Sequence, residues 1–235
     1  MMAIIDSIRR EFRENASEKT RESAKRFFKE EIALYGLKSA FVRQVSKKYY
    51  RQIRQCTKHE IFALCEILWQ SRCLEETIVA CDWSHNVRKK YAPDDFWTFE
   101  KWVSDCINNW ASCDTFCNHT MGSFIETYPD YLVHLKEWAR SDNRWMRRAA
   151  AVTLIIPAKK GIFLKDIFEI ADILLKDMDD MVQKGYGWML KVASQSHESE
   201  VFEYVFRNKS VMPRTALRYA VEKMPHSLRK KAMTK

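Results

Sequence analysis

The sequence is poor in the two residues that most often interrupt regular helices. It contains five glycines and five prolines among 235 residues. Turn-rich β proteins need many more of both, so this scarcity favours long helices. We find no alternating strand pattern, and apolar residues recur at helical spacing, for example in residues 61–69. The composition therefore predicts an all-α protein.

Other absences narrow the class of protein. No apolar run approaches the roughly 18–20 residues of a membrane span, and the charged N-terminus lacks a signal-peptide layout. We therefore expect a cytoplasmic protein that does not act at a membrane.

The seven cysteines are odd in number and scattered, which favours reduced, buried thiols. Cys113 and Cys117, with His119 nearby, lack the ligand number and spacing of a structural zinc site, and no phosphate-binding glycine loop is present. We expect neither a metal nor a cofactor.

Acidic residues are scarce at both ends of the chain, although the net charge is only +9. Residues 1–60 contain 15 Lys/Arg against 8 Asp/Glu, and residues 181–235 contain 11 against 4. The middle, residues 61–180, is mildly acidic, with 14 against 19. Two basic ends of this kind predict a polyanionic partner that is gripped at both ends, as nucleic acid would be.

A stripe of basic residues is a second indication of a polyanionic partner. No acidic residue stands between Glu31 and Glu60. Within that interval basic residues recur at spacings of four, four and three, at Arg43, Lys47, Arg51 and Arg54. Such a stripe on one helical face can follow a phosphate backbone, since an ordinary solvated face would mix charges of both signs.

Short segments with proline or clustered polar residues predict where helices end. They are Ala92-Pro93-Asp94, Tyr128-Pro129-Asp130, Ser141-Asp142-Asn143, Pro157 to Gly161, Ser194 to Ser199 and Val211-Met212-Pro213. Capping or acidic residues that suit a helix start follow them. A further amphipathic helical segment is predicted to end before Gly36, with apolar residues Phe27, Phe28, Ile32 and Leu34.

Roughly a dozen helices with short links predict stacked helix pairs, because each segment has an ordinary helix length. The spacing of the breaks suits HEAT-like antiparallel pairs, whose period is about 40 residues. Such pairs form a superhelical solenoid with a concave surface, which we expect here to be a basic groove. No linker is evident, so we expect a single domain over residues 1–235.

The stretch from Asn108 to Cys117 is the most informative of the chain. It places Trp110 and Asp114 four residues apart in a helical segment, so both side chains project from one face. An aromatic face beside a fixed negative charge suits a cation. Taken alone, the pair fits a packed helix better, with the tryptophan in the core and the aspartate as a helix cap.

Three further segments accompany this one along the chain. They are Tyr35 to Ser39 with Val42-Arg43, then Asn143 to Ala150, then Gln183 to Lys191. In this order and spacing the four segments resemble the AlkD-type DNA alkylation repair family, HEAT-like DNA glycosylases of bacteria and archaea. The resemblance extends from about residue 20 to about residue 225. It implies a C-shaped helical solenoid that holds duplex DNA in a basic groove.

The resemblance also implies a reaction and the residues for it. The family excises positively charged N3- and N7-alkylated purines, such as 3-methyladenine and 7-methylguanine, without extruding the base into a pocket. The family's catalytic aspartate falls on Asp114, and its two tryptophans fall on Trp110 and Trp188. A DNA-contacting arginine falls on Arg148. A further family arginine is Lys191 here, which keeps the charge but lacks the planar donor fork.

The chemistry is reasonable for these side chains. An alkylated purine already carries a positive charge and leaves as a neutral base, so no general acid has to protonate it. One carboxylate, Asp114, is then enough to stabilise charge developing on the deoxyribose and to orient water. Trp110 and Trp188 offer π faces to the cation, worth about 0.5–2 kcal/mol each. Arg148 and its neighbour Arg147 are expected to contact phosphates.

We therefore expect a monomeric DNA-alkylpurine glycosylase of base excision repair that acts on double-stranded DNA with alkylated purines. Two alternatives stay open from the sequence. One is a non-catalytic, HEAT-like DNA-structure-binding protein on the same scaffold, which the lysine at position 191 favours. The other is a helical-repeat scaffold for a protein partner, which would need an apolar or acidic concave face.

Overall fold

The structure, a computed structural model, describes residues 2–234, and most of them are helical. The chain forms two compact units, Met1–Phe116 and Cys117–Lys235, called here the N-terminal unit and the C-terminal unit. Within residues 2–234 the only extended pairing is one isolated bridge, between Ala33 and Cys73. The all-α prediction is confirmed, and the single domain over residues 1–235 stays a prediction.

Successive helices of the N-terminal unit are joined by short connections, apart from the longer irregular segment after the second helix. They are α1 (Met2–Glu14), α2 (Glu18–Lys25), α3 (Ser39–Ile53), α4 (Lys58–Gln70), α5 (Leu74–Asn86), α6 (Asp95–Lys101) and α7 (Trp110–Phe116). A 3₁₀ turn, Arg88–Lys90, precedes α6, and a π-helical segment, Trp102–Cys106, follows it.

The C-terminal unit begins with a π-helical segment, Cys117–Met121, and has a 3₁₀ turn at Pro129–Tyr131. Its α-helices are α8 (Gly122–Thr127), α9 (Leu132–Trp138), α10 (Arg144–Val152), α11 (Ile155–Lys159), α12 (Leu164–Ile173), α13 (Asp180–Ala193), α14 (Glu198–Asn208), α15 (Arg214–Ala220) and α16 (His226–Met233). None of the helices in residues 2–234 is long and apolar enough to cross a membrane.

The helices of each unit pack in two layers, as successive pairs of a solenoid do. In the C-terminal unit α10, α13 and α15 lie side by side, while α9 packs against α12 and α14 against α16. In the N-terminal unit α3, α5 and α7 lie side by side and α4 packs against α5. Buried apolar side chains form the core. The fold is therefore an all-α solenoid of helix pairs, as predicted.

Capping residues start several helices, and Asn143 does so where the sequence predicts a break. The side chain of Asn143 accepts a hydrogen bond from the N–H of Trp145 at 2.9 Å and starts α10. Asp179 caps α13 through the N–H of Met181 at 2.8 Å. Because each cap satisfies an N–H that the first turn leaves without a partner, the helix start is fixed locally.

The predicted break that begins at Pro157 is wrong in its position. Pro157 lies inside α11, which starts at Ile155 and continues to Lys159. It is the third residue of that helix, where the N–H that proline lacks has no intrahelical partner in any case. Breaks fall instead at residues 153–154 and again at residues 160–163.

The predicted helical segment up to Gly36 is also wrong, because α2 ends at Lys25 and residues 26–38 are irregular. Tertiary hydrogen bonds replace the helical ones there. The carboxylate of Glu75 accepts the backbone N–H groups of residues 35–37 at 2.9–3.1 Å. Gly36 sits at φ +86°, a conformation that glycine adopts without a steric cost.

The two glycines of α13 allow close packing inside the C-terminal unit. A Cβ placed on Gly187 would lie 2.7 Å from the Cβ of Tyr219 and 2.8 Å from the carbonyl oxygen of Ala216 on α15. A Cβ on Gly185 would lie 3.3 Å from Cγ of Arg148. A glycine pair in a helix beside a tryptophan indicates close approach of another backbone, from a neighbouring helix or from DNA. At Gly187 the structure shows a neighbouring helix.

We expect Gly187→Ala to lower the free energy of unfolding by about 2 kcal/mol, because α15 must move away from the added methyl group. Gly185→Ala is the matched control. It gains the same helix propensity, about 1 kcal/mol, but meets a flexible side chain rather than backbone. Urea unfolding followed by circular dichroism measures both. Equal stability of the two variants would show that the α13–α15 contact tolerates a side chain.

Candidate functional site

The predicted pair Trp110 and Asp114 lies on one short helix, α7, at the end of the N-terminal unit. Asp114 is in the interior of α7, so it is not the residue that caps the helix. The side chain of Asn109 does that, because its Oδ1 accepts the N–H of Ser112 at 2.9 Å. Trp110 and Asp114 are each partly exposed. The prediction that both belong to one helical turn is confirmed.

A buried chain of hydrogen bonds ties the first turn of α7 to α5. Asn109 Nδ2 donates to Ser112 Oγ at 3.1 Å, and Ser112 Oγ lies 2.8 Å from Thr77 Oγ1. Because Thr77 donates its proton to the carbonyl oxygen of Leu74 at 2.9 Å, the serine is the donor to the threonine. All three polar side chains are at most 1 % exposed. A fully satisfied buried chain of this kind fixes the position of the turn that bears Trp110.

An aromatic cluster holds the other end of α7. The ring of Phe116, which is fully buried, lies edge-on to Trp69 and Trp102, with centroid distances of 5.5 and 5.9 Å. Phe99 completes the cluster at 5.7 Å. Because α7 is fixed at both ends, the side chain of Asp114 has a defined place on the surface of the unit.

Trp110 is held by the irregular segment 26–38 rather than by the core. Its indole Nε1 donates to the carbonyl oxygen of Phe27 at 3.1 Å. The ring of Phe28 stacks on it, with centroids 5.3 Å apart and planes 19° from parallel. Trp69, Trp83 and Trp102 are fully buried, whereas Trp110 keeps part of its surface exposed. The interpretation of Trp110 as a core tryptophan therefore does not hold.

A cavity of about 700 Å³ opens beside Trp110 in the N-terminal unit. Apolar side chains from α2, α3, α5 and segment 26–38 form most of its lining. The cations Lys19, Lys38 and Arg43 also line it, and Thr115 of α7 contributes a hydroxyl group. The cavity thus combines an apolar wall with positive charge, next to a tryptophan that is already oriented.

Glu75 is the buried acid that holds segment 26–38 in place. It is 4 % exposed and sits in the first turn of α5, where the helix dipole favours a negative charge. Three backbone N–H groups and the thiol of Cys73 donate to its two oxygens. The adjacent Glu76 accepts from Arg9 at 2.9 Å and from the hydroxyl of Tyr35 at 2.7 Å. Burial and this carboxylate raise the pKa of Tyr35 well above its ordinary value.

The basic stripe lies on α3, as its spacing predicts. Arg43, Lys47 and Arg51 are exposed on that helix, which ends at Ile53. Arg43 is ion-paired with Asp82 of α5 at 2.8 Å. An exposed pair of this kind contributes about 0–1 kcal/mol, so it does not prevent Arg43 from contacting another anion. Contact between this stripe and DNA stays a prediction.

Arg147 anchors α10 to the turn before α13, and Arg148 anchors it to the first turn of α13 itself. Arg147 Nε donates to Asp177 at 2.6 Å, and its Nη1 donates to the carbonyl oxygens of residues 141 and 142. Arg148 donates from Nη1 to the carbonyl oxygen of Met181 and is only 5 % exposed. These structural bonds are a role that the sequence does not predict. Phosphate contact by the two arginines stays a prediction.

Trp188 and Lys191 share α13, three residues apart, so they lie on one face of that helix. Trp188 is partly exposed. Lys191 is 16 % exposed, because its ammonium group donates to Glu222 at 3.2 Å and lies 5.4 Å from the ring centroid of Tyr219. Lys191, which the sequence resemblance matches to a family arginine, thus already has a partner within the unit.

The cysteines are packing residues in this structure. Cys113 and Cys117 are fully buried, as predicted, whereas His119 is exposed. Burial raises the pKa of Cys73 to about 12 and that of Cys106 to about 11. No cluster of three or more His, Cys, Asp or Glu side chains suited to a metal ion occurs in residues 2–234.

Sequence reasoning missed four residues that position the site: Thr77, Ser112, Asn109 and Glu75. Only Asn109 carries a readable signal, since an asparagine directly before a helical segment is a preferred cap. The other three are recognisable only once α5 and α7 are known to be neighbours.

Comparison with known proteins gives a consistent result. Residues 8–224 match the sequence model of a family described as "DNA alkylation repair enzyme". The solved structure of a "Predicted DNA alkylation repair enzyme from Enterococcus faecalis" has the same fold, with a TM-score of 0.80. That similarity covers 90 % of this chain and 98 % of the other, at 17 % identity, so it concerns the fold alone. No curated protein matches the sequence significantly.

We expect Asn109→Ala to lower the free energy of unfolding by about 2 kcal/mol, because it removes a helix cap and leaves the buried Ser112 without a donor. Asn109→Asp keeps the cap and loses the donor, so its loss should be intermediate. Asn86→Ala, on the exposed last residue of α5, is the control and should change stability by less than about 0.5 kcal/mol. Denaturant midpoints of the three variants measure these losses of stability. A midpoint for Asn109→Ala equal to that of Asn86→Ala would show that Asn109 does not stabilise α7.

Proposed function

Because the chain belongs to the DNA alkylation repair enzyme family, we propose that it is a DNA glycosylase for positively charged, N3- or N7-alkylated purines in duplex DNA. The observation that carries the proposal is the fixed geometry of α7. Its Trp110 and Asp114 stand one turn apart, both partly exposed, on a helix that is tied down at both ends. A preorganised carboxylate and π face are what a cationic leaving group requires.

Asp114 has the central role in the proposed reaction. The bond between C1′ and the purine nitrogen breaks, and its electron pair neutralises the positive charge of the base. Positive charge then develops on the deoxyribose, where a fixed carboxylate stabilises it most effectively. Water attacks C1′, and the same carboxylate orients that water and accepts its proton. No separate acid is needed, because the base leaves neutral.

The two tryptophans supply recognition in this proposal. A π face attracts a cationic base more than a neutral one, by about 0.5–2 kcal/mol. The ring of Trp110 is already oriented, since its N–H is bonded to Phe27 and Phe28 stacks on it. It therefore loses little conformational freedom when a ligand binds. Trp188 offers a second partly exposed ring on α13.

Phosphate contacts set the register of the duplex in this proposal. Arg43, Lys47 and Arg51 are exposed on α3 and face outward from the N-terminal unit. In the C-terminal unit we assign the same role to Arg147, Arg148 and Lys191, whose partners within the unit hold them in place. Contacts of this kind position the protein without reading sequence, and they make binding dependent on salt.

The first test of the proposed function is Asp114→Asn, which keeps the shape of the side chain and removes its charge. We expect the single-turnover release of 3-methyladenine and 7-methylguanine from methylated duplex DNA to fall by at least about 100-fold. Mass spectrometry of the released bases measures the rate. Binding of the duplex should survive, because Asp114 is not a phosphate ligand.

Asp105→Asn is the control for that experiment, since Asp105 is an exposed carboxylate in the same unit. It should release bases at the rate of the unmodified protein. Undiminished release by Asp114→Asn would remove Asp114 from the mechanism. If the unmodified protein binds duplex DNA but releases no base where a known glycosylase does, the protein is instead a non-catalytic DNA binder.

A second test separates the π face of Trp110 from its hydrogen bond. Trp110→Leu loses both and should release 7-methylguanine about tenfold more slowly, equivalent to about 1.4 kcal/mol. Trp110→Phe keeps a π face, loses only the bond to Phe27, and should stay within about threefold of the unmodified protein. Trp97→Leu, at an exposed tryptophan on α6, is the control. Equal losses for Phe and Leu at position 110 would contradict a role for the π face.

A further inference from the structure

Positive charge is almost unopposed in the last part of the chain. After Glu203 the sequence has nine Lys/Arg residues and one acidic residue, Glu222. Earlier in the C-terminal unit several cations have carboxylate partners. Arg147 pairs with Asp177 at 2.6 Å, and Lys136 pairs with Asp166 at 2.7 Å. The end of the chain therefore has an excess of cations over internal anions.

Two of these nine cations line a cavity of about 510 Å³ next to α15 and α16. Its lining is Arg218, Tyr219, Val221, Glu222, Arg229 and Met233. Both arginines are exposed, one on α15 and one on α16. Two guanidinium groups on one cavity repel each other, so the arrangement is stabilised when an anion lies between them.

Lys191 connects this cavity with the candidate site on α13. Its ammonium group reaches Glu222 at 3.2 Å and lies over the ring of Tyr219. Lys191 is thus paired with the one carboxylate of the cavity lining, and within residues 2–234 the structure describes no ion pair for Arg218 or Arg229. Because Trp188 is three residues before Lys191, the cavity adjoins the face of α13 that bears this tryptophan.

We propose that Arg218 and Arg229 form a phosphate-binding site for the DNA backbone, with Lys191 as its third cation. The inference rests on the proposed function, because it takes the phosphodiester from the duplex that the protein would act on. Each guanidinium presents a planar fork of donors that fits two phosphate oxygens. The two arginines therefore supply the bidentate geometry that a lysine at position 191 cannot. Glu222 holds Lys191 until a phosphate takes that place.

The decisive experiment is the salt dependence of duplex binding by the full chain. R218Q/R229Q should reduce the slope of log K against log salt by at least about 0.9, the contribution of one neutralised phosphate. K165Q/K176Q removes the same charge from exposed positions at the start of α12 and beyond its end, and should keep the original slope. If R218Q/R229Q has the slope of this control, the two arginines do not bind phosphate and the inference fails.

A second variant tests the proposed role of Glu222, which is to hold Lys191 until a phosphate binds. E222Q removes the carboxylate that competes with phosphate for Lys191 and should tighten duplex binding about fivefold at 0.1 M salt. A weaker or unchanged affinity would show that Glu222 does not compete with phosphate for Lys191. E222Q adds no cation, so tighter binding cannot be attributed to a new ion pair with the duplex.

Inorganic phosphate is the probe that distinguishes a free anion from the DNA backbone. At constant ionic strength we expect millimolar phosphate to displace the duplex no better than chloride does. Strong displacement that R218Q/R229Q abolishes would assign the cavity to a free phosphate and overturn the inference. Failure of the proposed glycosylase function would be seen separately, as a protein that releases no base. Such a protein can still show the smaller slope of log K against log salt in R218Q/R229Q.

Discussion

The buried carboxylate of Glu75 is the constraint on which the N-terminal unit depends. An unpaired charge at 4 % exposure would cost several kcal/mol, and three backbone N–H groups of residues 35–37 remove that penalty. Segment 26–38 and the start of α5 must therefore form together. That segment brings Phe28 against Trp110, and its neighbours line the adjoining cavity. A charge 35 residues before Trp110 in the sequence thus helps to orient the tryptophan.

Arginine and lysine serve two purposes in the C-terminal unit. Arg147 and Arg148 of α10 are bonded to Asp177 and to the first turn of α13, so they contribute to the packing of one helix on the next. Beyond Glu203 the sequence has a single acidic residue, Glu222, beside nine basic ones. The same residue types thus have internal partners in the first case and few acids nearby in the sequence in the second. Local sequence cannot separate the two cases, because the partner acids lie about 30 residues away.

Much of the fold was predictable from local signals. Scarce glycine and proline, helical periodicity and capping residues such as Asn143 predict the class correctly, and five of the six predicted helix breaks lie where the structure has them. Segment 26–38 was not predictable, since its apolar residues have helical spacing but its N–H groups bond to Glu75. For the site, the pairing of Trp110 with Asp114 on one helix followed from spacing. The chain from Asn109 to Thr77 did not, because it requires α5 and α7 to be neighbours.

The burial of the thiols has a consequence for a protein of alkylation repair. Alkylating agents react with nucleophiles in general, and the thiolate is the reactive form of cysteine. Six of the seven cysteines are buried, with Cys56 the exception. With their pKa values raised, Cys73 and Cys106 are protonated at neutral pH. The packing that builds the core therefore also shields these six thiols from the reagents that damage DNA.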